Sequence, residues 1–201
     1  MNPTGAILAG GGATRLGGAA KGLLPFGGVR SIDRVASALR EAGAGRILLA
    51  TPAEDAASWL DDVEIVRDSA PGSGPLGALV DVLRASAGSA TIVVAWDMPR
   101  VSGRLLRPLI DAAAGHDAAM YRHGGTIEPL CAVYGPSALG ALAAAFLAGE
   151  RSPSLAARRL RVALVSADRE TVAALASVNT PDDLRRATLD LAPIPAIATD
   201  A

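Results

Sequence analysis

Apolar positions in this chain come in short unbroken runs, and between the runs their spacing changes to that of a helix. Ala6 to Leu8, Ile47 to Ala50, Val63 to Val66, Thr91 to Ala95 and Val162 to Val165 are runs of the first kind, too short for helices and without polar alternation. They predict strands buried on both faces. Ala118 to Arg122 predicts another, followed by a turn at His123, Gly124 and Gly125, after which EPLCAVY, Glu128 to Tyr134, places a carboxylate at a strand start. Ile32, Val35, Ala36 and Leu39 share one helical face behind Ser31, and Gly43 or Gly45 ends that helix. Further helices are predicted around Ala56 to Leu60, through Leu79, Val82 and Leu83, over Leu105 to Ala114, over Ala138 to Ala148 behind Pro136 and Ser137, and from Ser154 to Arg159. Thr180 caps a last helix running through Leu184, with Pro181 at its first position. Strand and helix alternate, which predicts an α/β fold: a three-layer, Rossmann-like sandwich whose mostly parallel sheet carries helices on both faces.

Composition narrows this picture. The 201 residues suit one substantial core, so residues 1–192 are expected to form a single domain, with 193–201 a loose tail. Half the residues are hydrophobic but 3% are aromatic, which leaves no large stacking platform. A net charge of −1 gives no electrostatic footprint for nucleic acid or an acidic membrane surface, so any anion must be bound locally. The single Cys131 excludes an intrachain disulfide and a multi-cysteine metal site; it is expected to be a buried, inert thiol, compatible with a reducing cytoplasm. The apolar run Ala138 to Ala148 is too short to span a bilayer, so the expectation is a soluble, cytoplasmic protein.

Chemistry-bearing residues collect where strands end. Ligands of such sheets bind beyond the strands' carboxyl ends. The first strand breaks into Gly10, Gly11 and Gly12, where backbone N–H groups can converge on an anion, and Arg15 and Lys21 add two positive charges; together these fit a phosphate chain. The third strand runs into Asp68 and the loop APGSGPLGAL, and the fourth into Trp96, Asp97, Met98 and Pro99. Asp97 is the candidate ligand for Mg²⁺, which keeps most of its waters and bridges phosphate oxygens; its ordinary alternative is a turn former before Pro99. Asp68 and Glu128 each fit either an ordinary turn or strand-start role or a contact with substrate, and Asn179 either a turn before a helix cap or the positioning of a metal or substrate phosphate. His116 and His123 take no role, Trp59 and Trp96 read as core or pocket wall, and Arg158, Arg159 and Arg161 as a solvated helix end.

Five ordered stretches carry a resemblance: LAGGGATRLGGAAKG from Leu8 to Gly22, Asp68 with GPLGAL, DMP at Asp97 to Pro99, EPLCAVY, and VNTPDDL. In these the chain resembles the molybdenum cofactor guanylyltransferases, MobA-like nucleotidyltransferases. The resemblance covers almost the whole chain and implies a nucleotide-diphospho-sugar transferase-like fold. It also implies Mg²⁺-dependent transfer of GMP from GTP to the terminal phosphate of molybdenum-bearing molybdopterin, releasing pyrophosphate. Carried over position by position, it implies nucleotide contacts from Leu8, Ala9, Gly10 and Gly11, with Lys21 and Arg15 at the phosphates. It further implies Asp68 near base and ribose, beside Gly74, Pro75 and Leu76, and Asp97 on the metal; Arg15, Lys21 and Asp97 would be catalytic. Molybdopterin-delivering or molybdoenzyme-maturation proteins would be the partners. Four positions depart from the pattern: Ala13 for a frequent Ser, Ala20 for an acidic residue, Ser177 for an Asn two residues before Asn179, and Ala50 for an Asn after the second strand. A relative using CTP or another phosphorylated acceptor, and a catalytically degenerate adaptor, are the alternatives.

Overall fold

A computed structural model describes residues 2–10, 21–70, 72, 74–180 and 183. Its strands are β1 (Thr4–Leu8), β2 (Pro25–Phe26), β3 (Val29–Arg30), β4 (Arg46–Thr51), β5 (Glu64–Arg67), β6 (Thr91–Ala95), β7 (Ala118–His123), β8 (Thr126–Tyr134) and β9 (Val162–Ser166). Its helices are α1 (Ser31–Glu41), α2 (Pro75–Ala85), α3 (Gly103–Ala112), α4 (Ala138–Leu147), α5 (Pro153–Ala156) and α6 (Arg169–Ala174). Seven strands form one sheet in the order β5-β4-β1-β6-β8-β7-β9. All are parallel except β8, which pairs antiparallel with both β6 and β7. The expected mostly parallel sheet is therefore present, with one reversed strand near its middle.

Successive residues of the central strands point into opposite layers, because strand side chains alternate. Ile7, Leu49 and Val94 pack beneath α1 and α3, which supply Val35, Leu39 and Leu106. Ala6, Leu8, Leu48 and Val93 pack beneath α2 and α4, which supply Leu79, Val82 and Leu142. Both faces are covered, which explains why the strand sequences lack polar alternation.

The differences from expectation are local. The helix predicted at Ala56 to Leu60 is a single 3-10 turn over Ala56–Ser58. Ser31 is the first residue of α1 instead of its cap, and its hydroxyl donates to the Trp96 carbonyl at 2.5 Å. The helix predicted from Ser154 divides into α5 and a 3-10 turn, Ala157–Arg159, with the Ser152 hydroxyl accepting from Leu155 N–H at the cap. The hairpin β2–β3 and helix α6 were not foreseen. Thr180 caps as expected, accepting from Asp183 N–H at 3.1 Å while the Asp183 carboxylate accepts from Asn179 and Thr180 N–H; Pro181, Leu184 and the tail lie outside the described residues. Cys131 is fully buried, and burial holds its thiol far above the ordinary range, which keeps it inert.

Trp96 and Trp59 are both buried and stack, ring centroids 5.4 Å apart at 19°. The Trp96 ring also lies against Gly22. A Cβ on Gly22 would stand 2.3 Å from Cε3 of that ring, so only glycine permits the approach. Gly22→Ala is expected to lower stability by about 1–3 kcal/mol, the usual magnitude for overpacking a core. Urea denaturation of the single variant and of Gly22→Ala with Trp96→Leu checks this: the pair should recover part of the loss, and an additive pair would place the clash elsewhere.

Candidate active site

The carboxyl edge of the parallel strands brings Leu8, Ala50 and Ala95 side by side, since Leu8 is in register with both of the others. At this edge Ala9 N–H donates to Ala50 carbonyl at 2.8 Å and Trp96 N–H to Leu8 carbonyl at 3.2 Å. Leu8 and Ala9 are buried, so their side chains face the core, and a ligand can meet this turn only through remaining backbone groups. Gly10 is exposed and is the first residue past the strand open to a ligand. Gly11 and Arg15 lie outside the described residues.

Lys21 and Asp97 come together. The Gly22 contact on Trp96 fixes the short 3-10 helix Lys21–Leu23 beside the residue that precedes Asp97. The Lys21 ammonium donates to Asn179 Oδ1 at 2.7 Å, bridging 158 positions of sequence. Burial lifts the Asp97 carboxyl above its ordinary range, opposed by the Lys21 ammonium, by its own backbone N–H and by a hydrogen bond with the Ser177 side chain. Val178 N–H donates to the Asp97 carbonyl at 2.9 Å, and the Val178 side chain packs with Phe26 of the β2–β3 hairpin. The VNTP segment is thus latched onto the fourth strand's end, and Asn179 belongs to the cluster instead of serving only as a turn.

Glu128 joins them from the reversed strand. Because β8 runs antiparallel, its beginning reaches the same edge as the ends of β6 and β7. The register jumps from Met120 opposite Ala132 to Tyr121 opposite Glu128, leaving Pro129, Leu130 and Cys131 as a bulge on the β7 side while Cys131 stays paired with Val94 of β6. Two hydrogen bonds shape it: Tyr134 hydroxyl donates to Pro129 carbonyl at 2.8 Å, and Leu130 N–H to Glu128 Oε1 at 3.1 Å. A bulge of this kind re-aims a side chain. Burial pushes the Glu128 carboxyl up, and the Asp97 charge pushes it the same way. The signal in the sequence was Pro129, a residue that fits inside a sheet only at a bulge or edge.

The GPL loop and Asp68 stand apart. Asp68 follows the edge strand β5, three strand spacings from β6, or about 14 Å along the sheet edge. Its Oδ1 accepts from Ala70 N–H at 2.9 Å, the turn role it shares with many aspartates. Gly74 precedes α2 with φ 83°, a left-handed conformation natural to glycine, and no side chain caps the helix. Pro75 occupies the first turn and is exposed, while Leu76 is fully buried, so its side chain belongs to the core. Asp81, buried on α2, holds this loop by accepting from Ser69 N–H at 2.8 Å and Ser69 hydroxyl at 2.9 Å, an anchor not foreseen from sequence.

Among the described residues no three acidic, histidine or cysteine side chains gather as a metal-binding group, and no helix is long and apolar enough to cross a membrane. Arg158 and Arg159 are exposed, and Arg161 pairs with Asp117 at 3.2 Å.

A mostly parallel sheet with helices on both faces, an exposed Gly10 past the end of β1, and a cation beside the carboxylate that follows β6 define an α/β nucleotidyltransferase fold. Residues 5–164 match the MobA-like NTP transferase domain, and the chain belongs to that family. The molybdenum cofactor guanylyltransferase of Pseudomonas putida is 32% identical over 180 residues, 89% of this chain and 94% of its own. The "Probable molybdenum cofactor guanylyltransferase" of Chloroflexus aggregans is 35% identical over 196 residues, 92% of this chain and 93% of its own. The crystal structure of molybdopterin-guanine dinucleotide biosynthesis protein A from Archaeoglobus fulgidus superposes with a TM-score of 0.75 at 29% identity, covering 92% of this chain and 97% of that one.

The raised Glu128 carboxyl has a stability consequence. An acid whose folded pKa lies above its unfolded one destabilises the fold when ionised, and that penalty vanishes once pH falls below the unfolded value. Glu128→Gln is therefore expected to melt above the wild type at pH 8, with the difference shrinking toward zero by about pH 4. Thermal unfolding across that range checks it; a difference constant with pH would assign the effect to something other than ionisation.

Proposed function

We propose that this protein transfers GMP from GTP to the terminal phosphate of molybdopterin, releasing pyrophosphate and forming the guanine dinucleotide. The observation that carries the reading is the cluster in which the Lys21 ammonium sits on Asn179 beside the partly buried Asp97. Sequence similarity to proteins named for guanylyl transfer to the molybdenum cofactor supports the choice of substrates.

In this reading the triphosphate lies over the turn after β1, meeting Gly10 and, beyond it, Gly11 and Arg15. Lys21 neutralises its phosphates. The base and ribose extend toward Asp68 and the loop of Gly74, Pro75 and Leu76, where Leu76 contributes backbone alone because its side chain is buried. Leu8 and Ala9 likewise form the floor through their main chain. An oxygen of the acceptor phosphate attacks the α-phosphorus of GTP as the bond to the β-phosphate oxygen breaks, and pyrophosphate departs. The attacking oxygen is already ionised, so the site must align and neutralise more than it must remove a proton.

The residues present fit Mg²⁺. The Lys21 ammonium stands in for a cation here, held by the Asn179 amide oxygen within the field of Asp97. One carboxylate and one amide oxygen, completed by substrate phosphates and water, is a donor set that Mg²⁺ commonly takes. Asp97 and Asn179 would hold the ion, which when bound supplies neutralisation of the phosphate charge that grows in the transition state. Lys21 is then free to turn to the phosphates.

Asp97→Ala is expected to abolish Mg²⁺-dependent pyrophosphate release while the circular dichroism spectrum stays that of the wild type; normal turnover would remove the metal assignment. Lys21→Ala should weaken GTP binding by about 1.5–3 kcal/mol in calorimetry, the scale of a charge-assisted contact. Among GTP, CTP and ATP with Mg²⁺, GTP should raise the melting temperature most, since a ligand bound only by the folded state stabilises it. A larger shift with CTP would reassign the base, and no shift with any of the three would favour the adaptor reading.

A further inference from the structure

Beside the Asp97 cluster runs a groove of about 320 Å³ between the β7–β8 hairpin and α6. Tyr121, His123, Ile127, Glu128, Val172 and Leu175 line it, and Ala176 closes the end next to Ser177, whose side chain hydrogen-bonds Asp97. The groove therefore ends one residue from the side chain that hydrogen-bonds Asp97. Its walls are mostly apolar, and its size suits a fused ring system.

Glu128 is the carboxylate in these walls. Its Oε1 is held by Leu130 N–H, and Oε2 accepts no hydrogen bond from any described residue. No ion pair to it forms among the described residues, and Asp97 adds negative charge from its flank. An anionic ligand group at this point would meet like charge, so a phosphate belongs with Lys21 and not here. A neutral planar ring bearing N–H donors suits both the apolar walls and the free carboxylate oxygen: stacking against Val172 and Leu175 removes apolar surface from water, and the donors satisfy a group otherwise poorly solvated.

We propose that this groove receives the heterocycle of the phosphorylated acceptor, with Glu128 accepting hydrogen bonds from its ring N–H and amino groups. The inference rests on the nucleotidyl-transfer reading and says where the acceptor's ring lies, on the side of Asp97 away from Asp68. The bulge at Pro129 to Cys131, fastened by the Tyr134 hydroxyl, is what aims this carboxylate.

The test is a fluorescence titration of 6-hydroxymethyl-7,8-dihydropterin monophosphate onto the full chain without nucleotide. The wild type should bind saturably. Glu128→Gln should weaken binding about tenfold or more, the scale of a lost hydrogen bond to a charged acceptor. Val172→Trp, which fills the groove from α6 without altering the carboxylate, should weaken it at least as much. Ribose 5-phosphate, a phosphate without the heterocycle, should bind the two variants and the wild type alike. Absence of saturable binding by the wild type, unchanged affinity in both variants, or a loss in only one of them overturns the proposal. Because pyrophosphate release from GTP and its dependence on Asp97 are read separately, those outcomes leave nucleotidyl transfer standing, whereas loss of the Asp97 dependence strikes the underlying reading.

Discussion

The indole of Trp96 is the contact on which the arrangement of the site depends. The backbone N–H of Trp96 closes the ladder to Leu8, its carbonyl receives the Ser31 hydroxyl from the start of α1, and its ring packs on both Trp59 and the bare Cα of Gly22. Four segments distant in sequence thereby converge on one residue, two on its backbone and two on its ring, and the next residue is Asp97. A rigid aromatic slab suits this duty because it is large, has few rotamers and offers two flat faces for packing. Lys21 inherits its position from Gly22 and Asp97 from Trp96, so the cation and the carboxylate are placed by packing before any ligand arrives.

Around that contact the molecule keeps two carboxyl groups in surroundings that disfavour their charge. Both Asp97 and Glu128 are lifted by burial, and the Asp97 charge raises Glu128 further. Lys21 offsets only the first. Such arrangements cost folding stability and are found where a ligand later supplies the missing partner. The chain tolerates them because its two layers are otherwise thoroughly apolar, with β1 and β6 buried along their whole length.

Much of this was legible in the residues. The unbroken apolar runs gave the central strands, since a strand covered on both sides has no reason to alternate. The placement of Asp97 and Asp68 beyond strand ends followed from chain order alone. What remained hidden depended on contacts across long separations. Nothing near Asn179 discloses that its amide meets Lys21, and nothing near Gly22 discloses the ring above it. Glu128 stayed ambiguous for a different reason: its location depends on strand direction, which apolar periodicity does not encode. The β2–β3 hairpin escaped notice because two-residue strands are too short for any periodicity, and the 3-10 turn at Ala56–Ser58 because four apolar residues nearby imitate a helix.

The reversed strand also divides the chain by task. Gly10, Lys21 and Asp68 all belong to the chain through β6, while the β7–β8 hairpin and α6 lie on the far side of that strand. The hairpin tip at Gly124 and Gly125 is exposed. Insertions there can lengthen or reshape that side while the parallel strands keep their register. One half of such a molecule can hold its ligand unchanged while the other drifts toward new ones, which makes this topology a modular frame for coupling a constant donor to a variable recipient.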